Sequence, residues 1–198
     1  NRVRPTNLDQ FVGQQHLIGQ GKILRELLEN DQIPSMILWG PPGVGKTTLA
    51  TLIARQTKAR FLSFSAVNSS ITKIKKVMND AAQNLQMGTR TIVFVDEIHR
   101  FNKAQQDAFL PAVERGAIIL IGATTENPSF EINSALLSRC KVFVLHPLDE
   151  QDIVKLLVNT INNPRAFHNQ SIKITQTQLM QIAKFAAGDA RKALNTME

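Results

Sequence analysis

The feature that most constrains the fold of this chain is a glycine-rich loop at residues 40–48, with the sequence GPPGVGKTT. The loop follows a short apolar run at residues 36–39 and precedes a helix-compatible segment at residues 49–58. Its spacing matches G-x-x-x-x-G-K-T, in which backbone N–H groups curl around an anion at the start of a helix. Because such a loop lies between a buried strand and a helix, it predicts an α/β fold with a nucleotide site at the carboxyl end of the strand.

Each residue type in this loop suits one part of a nucleotide. The ammonium group of Lys46 is expected to reach the β- and γ-phosphates, and the hydroxyl of Thr47 is expected to ligate Mg²⁺. A glycine turn that merely joined two core elements would need neither side chain at these positions. The other loop residues that we expect to cradle the phosphates are Pro42, Gly43, Val44, Gly45 and Thr48.

A carboxylate pair follows another apolar run. Residues 91–95 are nearly all β-branched or aromatic, which indicates a strand buried on both faces, and Asp96 and Glu97 come next. Carboxylates at the end of a buried strand are costly unless they have a task. We expect Asp96 to hold Mg²⁺, directly or through water, and Glu97 to polarise the attacking water. The alternative is a strand that simply ends in acidic residues.

Strand and helix patterns alternate along the chain as far as Pro147, and only helix patterns follow it. This alternation predicts a parallel sheet flanked by helices and then a small all-helical lid. We therefore expect an α/β nucleotide-binding domain at residues 1–147 and a lid domain at residues 148–198. The predicted strands are residues 36–39, 61–64, 91–95, 117–123 and 142–145, and the predicted helices between them include residues 71–85 and 104–115.

The lid has clear helix boundaries. Asp149 is placed to cap its first helix, and Thr175 with Gln178 forms a capping box for its second. Gly188 is expected to end the second helix and Asp189 to cap the third. Because the chain begins without methionine and its last helical pattern is unfinished, we expect a piece of a longer protein, with the lid truncated at its C-terminal end.

The distribution of charge favours a polyanion as partner. The net charge is +7, and no acidic residue occurs between Asp31 and Asp80. Such a basic stripe suits nucleic acid, whereas the alternative is a solvated basic face. The basic residues of the stripe are Lys46, Arg55, Lys58, Arg60, Lys73, Lys75 and Lys76.

Cysteine content and hydropathy argue against several other classes. The single cysteine, Cys140, cannot form an internal disulfide or a metal cluster, which suits a reducing compartment. The longest apolar run, residues 117–123, is far too short to span a bilayer, and the first residues do not resemble a signal peptide. We therefore expect a cytoplasmic protein without membrane contact.

Five stretches carry a resemblance to one family. They read WGPPG at residues 39–43, DEIHRFNK at 96–103, IGATTENPSF at 121–130, LSRC at 137–140 and GDAR at 188–191. Nearly end to end, the chain resembles AAA+ ATPase modules of the clamp-loader branch. It is most similar to the replication-associated recombination protein A family, which includes the Werner helicase-interacting protein. The second and third stretches are specific to that family rather than generic.

The resemblance implies roles for residues outside the loop. Thr125, or its neighbour Thr124, matches the sensor-1 position, which in the family lies beside the attacking water. Arg139 matches the arginine finger, which reaches the ATP of the adjacent subunit, and Arg191 matches sensor 2, which reaches the nucleotide of its own subunit. The alternative for each is an exposed arginine, at a strand start or on a helix surface. The segment that encloses adenine is matched by Arg4, Val12 and Gly13.

The same resemblance implies an ATP-driven motor that acts on DNA at stalled or damaged replication forks. Its expected partners are forked, gapped and free-ended DNA, single-strand-binding protein, other replication proteins and further copies of the chain in a homo-oligomer. In a bacterium we expect it on the nucleoid. Two alternatives stay open. One is a Holliday-junction branch-migration motor, whose AAA+ module shares the DEIHR and GATT patterns, and the other is a protein-remodelling AAA+ subunit that touches no DNA.

Other nucleotide enzymes fit the sequence less well. A GTPase is disfavoured because Asn102-Lys103 is not followed by the aspartate that reads guanine. A small-molecule kinase is disfavoured because Glu97 would activate water and so waste ATP by hydrolysis. His99 and Arg100 either relay nucleotide state to DNA or cap the loop, and the sequence favours neither.

The resemblance also implies which residues face DNA. In clamp-loader relatives the helix after the second strand and the segment after the carboxylate pair line the DNA channel. Here these regions carry Lys73, Lys75, Lys76 and Lys103.

Overall fold

The computed structural model describes residues 4–65, 70–163, 166 and 173–197, and these contain one sheet of five parallel strands. The strand order is β2-β3-β4-β1-β5, so that β4 lies between β3 and β1. The parallel α/β architecture predicted from the alternating patterns is therefore confirmed. The strands are β1 Met36–Trp39, β2 Arg60–Ser65, β3 Thr91–Asp96, β4 Ile119–Thr124 and β5 Lys141–Val144.

Helices fill most of the connections. None of the helices in the described residues is both long enough and apolar enough to cross a membrane. Short 3₁₀ turns occur at Leu8–Gln10 and Ile98–Arg100. The α-helices are α1 Gln15–Ile18, α2 Ile23–Glu29, α3 Lys46–Gln56, α4 Ile71–Gln86, α5 Lys103–Asp107, α6 Leu110–Glu114, α7 Pro128–Glu131, α8 Ser134–Leu137, α9 Glu150–Ile161, α10 Gln176–Ala186 and α11 Ala190–Met197.

The segment between β3 and β4 differs from the single helix predicted at residues 104–115. It forms two short helices, α5 and α6, and Pro111 lies in the first turn of α6, where its missing N–H leaves no helical hydrogen bond unmade. β4 also begins at Ile119 rather than at the predicted Ala117. The N–H groups of Ala117 and Ile118 both donate to the carbonyl of Ala112, at 2.8 and 3.3 Å, and so close a turn before the strand.

The sheet is buried on both faces, as its continuous apolar strands predict. Successive residues of β3 face opposite sides, because side chains alternate along a strand. Ile92 and Phe94 pack in one apolar cluster with helices α1, α2 and α3. Val93 and Val95 pack in a second cluster with α4, α6 and α8. Two helical layers therefore hold the sheet rigid and leave its ends to carry the site.

The lid consists of α9, α10 and α11 around a third apolar cluster. Asp149 caps α9 by accepting a backbone N–H, and the capping box of Thr175 and Gln178 forms at the start of α10, as predicted. The left-handed residue that ends α10 is Ala187, one position before the predicted Gly188. Gly188 follows with φ of +88° and turns the chain towards α11.

Candidate active site

The glycine-rich loop and the carboxylate pair meet at one edge of the sheet. The loop follows β1, and β1 lies beside β4 with Trp39 in register with Thr124. β4 lies in turn beside β3, with Gly122 in register with Val95. Asp96 and Thr124 therefore end neighbouring strands, which the sequence alone left open.

The backbone of the loop excludes side chains at two of its glycines. Gly43 and Gly45 have φ of +74° and +98°, values that residues with a β-carbon rarely adopt. A β-carbon at Gly43 would overlap the carboxylate of Asp189, and one at Gly45 would lie 2.6 Å from Cζ of Phe11. The loop is thus packed between the N-terminal segment and the lid, and its conformation fits the anion cradle predicted from its sequence.

Lys46 is almost fully buried in the first turn of α3, with 8% of its surface exposed. Its ammonium group donates hydrogen bonds to the carbonyl oxygens of Gly40 and Pro41, at 2.6 and 2.8 Å. Burial lowers the pKa of Lys46, and the charges of Glu97 and Asp96 oppose that shift. The ammonium group therefore lies inside the loop and near both carboxylates, where phosphate oxygens can replace the two carbonyls as acceptors.

Lys46→Ala is expected to weaken nucleotide binding and to abolish turnover, because it removes the buried cation that faces the phosphates. Titration with a fluorescent ATP analogue measures the affinity, and phosphate release measures the turnover. Arg55→Ala, at an exposed position in the last turn of the same helix, is the matched control and should change neither. Unchanged affinity and turnover in Lys46→Ala would remove this loop from the nucleotide site.

The carboxylate pair occupies an unusual turn at the end of β3. Asp96 is the last residue of the strand, and Glu97 has φ of +53°, a left-handed conformation that is uncommon for glutamate. Backbone strain of this kind persists where the surrounding structure fixes it, and it clusters at active sites. Since the charges of Glu97 and Asp96 both raise the pKa of Lys46, the pair lies near the phosphate loop, and their shared role in one site stays a prediction.

A histidine connects the ends of β3 and β4. Nδ1 of His99 lies 2.9 Å from the hydroxyl oxygen of Thr124 and 3.4 Å from Oε2 of Glu97. Thr124 is fully buried, and its hydroxyl oxygen also accepts the N–H of Glu126 at 3.0 Å. Because the Thr124 hydroxyl is committed to these contacts, Thr125 is the better candidate for the sensor position, and that role stays a prediction.

The N-terminal segment lies between the phosphate loop and the lid. Phe11 packs against the loop, whereas Gly13 packs against the start of the lid, where a β-carbon would lie 3.2 Å from Oδ2 of Asp152. Val12 lies between these two contacts, so the segment predicted to enclose adenine borders both structures. Arg4 is exposed. The adenine contacts of Arg4, Val12 and Gly13 stay predictions.

The third lid helix begins directly on the phosphate loop. The N–H of Ala190 donates to the carbonyl of Gly43 at 3.1 Å. Asp189 caps the helix by accepting the N–H of Arg191 at 2.8 Å. Burial is the main cause of the lowered pKa of Lys46, and the positive charge of Arg191 lowers this pKa further. Arg191 is therefore close to the phosphate loop of its own chain.

Arg139 lies at the opposite edge of the sheet. It precedes β5, whose first residue, Lys141, is in register with Met36 at the amino end of β1. Its guanidinium group pairs with Glu114 at 2.5 Å and donates to the carbonyl of Ala135 at 2.7 Å. The phosphate loop begins at the other end of β1, so the structure does not bring Arg139 together with the other candidate site residues of its own chain.

The four lysines predicted to contact DNA lie on two helices that touch. Lys73, Lys75 and Lys76 belong to the first two turns of α4, and Lys103 begins α5. All four are exposed, and Nζ of Lys73 lies 6.0 Å from the ring centre of Phe64. Their contact with DNA stays a prediction.

Two acidic residues have contacts that sequence reasoning missed. The sequence predicts Asp189 only as a helix cap, yet this residue also packs against Gly43 of the phosphate loop. It assigns nothing to Glu114, which holds the predicted arginine finger. Both contacts join elements that are distant along the chain, so no local spacing encodes them. The GDAR stretch at residues 188–191 is the one sequence signal that pointed towards the contact between Asp189 and the phosphate loop.

Comparison with known proteins identifies the family of the chain. Residues 36–148 match the family model described as ATPase family associated with various cellular activities (AAA). The chain is 52% identical over all 198 residues to the replication-associated recombination protein A of Escherichia coli K12, and it covers 44% of that protein. It is 45% identical over 197 residues to the ATPase WRNIP1 of Dictyostelium discoideum, and it covers 22% of that protein. The chain thus spans less than half the length of these relatives, and the predicted family resemblance is confirmed.

Solved structures share the architecture. The RuvB Holliday junction branch migration motor of Thermotoga maritima has a TM-score of 0.75 and 28% identity, over 98% of this chain and 64% of that chain. A point mutant of the same protein has a TM-score of 0.77 and 25% identity over the same shares. The similarity extends over the parallel sheet and the helices after it.

Proposed function

The chain belongs to the AAA family of ATPases, and from this premise we propose that it is an ATP-driven motor that acts on DNA at stalled or damaged replication forks. The observation that carries the proposal is the convergence of Lys46, Glu97 and Arg191 on one phosphate loop. These groups come from the loop, from the end of β3 and from the lid, and ATP hydrolysis needs such cations and such a base. Relatives that are 50% and 52% identical and carry a replication-associated name support DNA as the substrate.

The proposed chemistry depends on positioning and on stabilising negative charge. Lys46 binds the β- and γ-phosphates, and Glu97 accepts a proton from the water that attacks the γ-phosphate. Arg191 adds a second cation from the lid, and Thr125 hydrogen-bonds the γ-phosphate or the attacking water. The products are ADP and phosphate.

Thr47 and Asp96 are the residues that would hold Mg²⁺. Thr47 follows the buried lysine in α3, and Asp96 ends β3 at the same edge of the sheet. Within the described part of the chain, no group of three or more histidine, cysteine or acidic side chains could hold a metal ion by itself. A hydroxyl and a carboxylate must therefore share the ion with phosphate oxygens and water, as Mg²⁺ sites at nucleotides do. When bound, the ion neutralises charge on the phosphates.

The position of Arg139 supports a homo-oligomer. The residue borders an open cavity of about 710 Å³ that also contains Asp31, Arg90 and Glu114. This cavity lies at the amino ends of the strands, away from the chain's own phosphate loop, and we propose that Arg139 completes the nucleotide site of a neighbouring copy. Each site of the proposed assembly would then use residues from two subunits.

Charge supports nucleic acid as the partner. The net charge of +7 and the exposed lysines of α4 and α5 favour a polyanion. The proposed substrates are forked, gapped and free-ended DNA, with single-strand-binding protein and other replication proteins as partners. The proposed location is the cytoplasm, and in a bacterium the nucleoid.

Replacing Lys73, Lys75 and Lys76 together by alanine is expected to weaken DNA binding uniformly across sequences, because lysines that bind phosphates read no base information. The slope of log affinity against log salt concentration should flatten by roughly 0.9 for each phosphate that the variant no longer neutralises. Binding titrations at several salt concentrations measure this slope, and an unchanged slope would place the DNA site elsewhere. The matched control replaces three exposed lysines of the lid, Lys155, Lys173 and Lys184.

The ATPase rate of the full-length protein tests the proposed function. The rate is measured with forked, gapped, blunt-ended and four-way-junction DNA and without DNA. Stimulation by forks, gaps or ends supports the proposal. A second candidate, a Holliday-junction motor, is favoured by the structural similarity to RuvB, and selective stimulation by four-way junctions would support it instead. Indifference to every DNA would overturn both in favour of a protein-remodelling subunit.

A further inference from the structure

His99 joins the proposed general base to the end of the neighbouring strand. Its side chain is largely buried, with 14% exposed, and it lies in the 3₁₀ turn that follows Glu97. Its Nδ1 atom lies 2.9 Å from Oγ1 of Thr124 and 3.4 Å from Oε2 of Glu97. One ring nitrogen therefore faces both the carboxylate and the last residue of β4.

The contacts of Thr124 and Glu97 together favour one tautomer of His99. The Thr124 hydroxyl oxygen accepts the N–H of Glu126 at 3.0 Å, and the hydroxyl donates to the carbonyl of the same residue at 3.3 Å. When its proton is used there, the oxygen accepts a hydrogen bond from His99. The nearby carboxylate of Glu97 favours the same arrangement, since it attracts an N–H and repels a lone pair. The favoured tautomer therefore carries its hydrogen on Nδ1, which lies between the two oxygens.

Glu97 needs a partner that fixes its side chain. Its backbone is held at φ of +53°, but its carboxylate lies at the end of three rotatable bonds and its side chain is 37% exposed. A general base must stay within hydrogen-bond reach of the water it activates. A displacement of about 1 Å can lower a rate by roughly 10²-fold.

We propose that His99 is a positioning residue that holds the Glu97 carboxylate against the end of β4. The inference rests on the proposed role of Glu97 in ATP hydrolysis. His99 acts through that carboxylate and does not contact the nucleotide. Its bond to Thr124 also ties the base to the residue before the predicted sensor, Thr125, so a shift at the end of β4 moves the base as well.

The test compares three substitutions in the full-length protein. His99→Ala removes both interactions and is expected to lower kcat by about 10- to 100-fold, with the KM for ATP and the affinity for a fluorescent ATP analogue unchanged. His99→Asn places an amide N–H near the position of Nδ1 and should recover much of the activity. His99→Gln places its amide near Nε2 and should not. Thermal unfolding of each variant is measured alongside.

A double-mutant cycle with Glu97→Gln separates this inference from the function on which it rests. In the Glu97→Gln background, His99→Ala should cause no further decrease, because the base that it positions is gone. If Glu97→Gln hydrolyses ATP at the wild-type rate, both the proposed role of Glu97 and the inference about His99 are overturned. If Glu97→Gln is inactive but His99→Ala keeps the wild-type kcat, only the inference is overturned. Equal decreases in all three His99 variants would also overturn it and assign His99 to folding.

Discussion

Glu97→Gln is expected to retain nucleotide binding and to lose turnover by about 10²-fold or more, the scale of general-base removal. The amide keeps the shape of the carboxylate but cannot accept a proton from water, whereas Lys46 and Asp96 still hold the nucleotide and its metal ion. Single-turnover hydrolysis and titration with a fluorescent ATP analogue, both on the full-length protein, measure the two quantities.

Glu131→Gln makes the same chemical change at an exposed position of α7 and should leave binding and turnover unaffected. Turnover near the wild-type value in Glu97→Gln would mean that another group activates the water. Loss of binding together with turnover would mean that Glu97 shapes the site rather than reacting in it.

Arg139→Ala is expected to lower the turnover of the assembled full-length protein by about 10³-fold or more, the effect of an arginine finger. Arg139 precedes the amino end of β5, whereas the phosphate loop follows the carboxyl end of β1, so the arginine is far from the phosphate loop of its own chain. The 198-residue chain alone is expected to bind nucleotide, to sediment mainly as a monomer and to hydrolyse ATP slowly. In that monomer Arg139→Ala should change almost nothing.

Mixed assemblies give a sharper test of the same idea. Lys46→Ala subunits keep the predicted arginine finger, Arg139, but lack the lysine that binds the phosphates. Arg139→Ala subunits keep that lysine but lack the finger. Mixing the two inactive proteins should restore part of the turnover, because some intact loops then receive a finger from the other subunit. No recovery in the mixture, or a large decrease in the Arg139→Ala monomer, would contradict action between subunits.

The strength of the ion pair between Arg139 and Glu114 affects how readily the guanidinium group of Arg139 can leave Glu114 and bind a phosphate. Both side chains are partly exposed, at 39% and 47%, and pairs of this kind contribute about 0–1 kcal/mol. A γ-phosphate carries more charge than one carboxylate and accepts more hydrogen bonds. The pair can therefore orient the guanidinium group before assembly without strongly opposing its transfer to a phosphate.

Local spacing predicts the parts of this site that lie within single segments. The loop with Lys46 and the carboxylates after β3 are recognisable because a strand, a turn and a few side chains follow each other directly. The position of Thr124 beside Asp96 depends on strand order, which spacing does not contain. Local spacing was misleading at residues 104–115, where it predicted a single helix. The apolar pattern continues across α5 and α6 and does not reveal the break between these two helices.

Contacts between distant segments could not be predicted from the sequence. His99 reaches a hydroxyl 25 positions further along, and this depends on the pairing of β3 with β4. Asp189 touches Gly43 only because the lid folds back over the loop. The role predicted for Arg139 came from the family resemblance, and the structure adds that this arginine lies far from the phosphate loop of its own chain.

The hydrogen bond from Ala190 to Gly43 runs between two backbones, so only proline at position 190, which lacks an N–H, would remove its donor directly. In the proposed motor, mechanical load applied to α11 would reach the phosphate cradle through this bond and through the contact of Asp189 with Gly43. The proposed coupling is also reciprocal, so a change in the cradle on loss of phosphate would displace the start of α11. In the proposed motor, conversion of chemical energy into movement would then begin where the lid touches the phosphate loop.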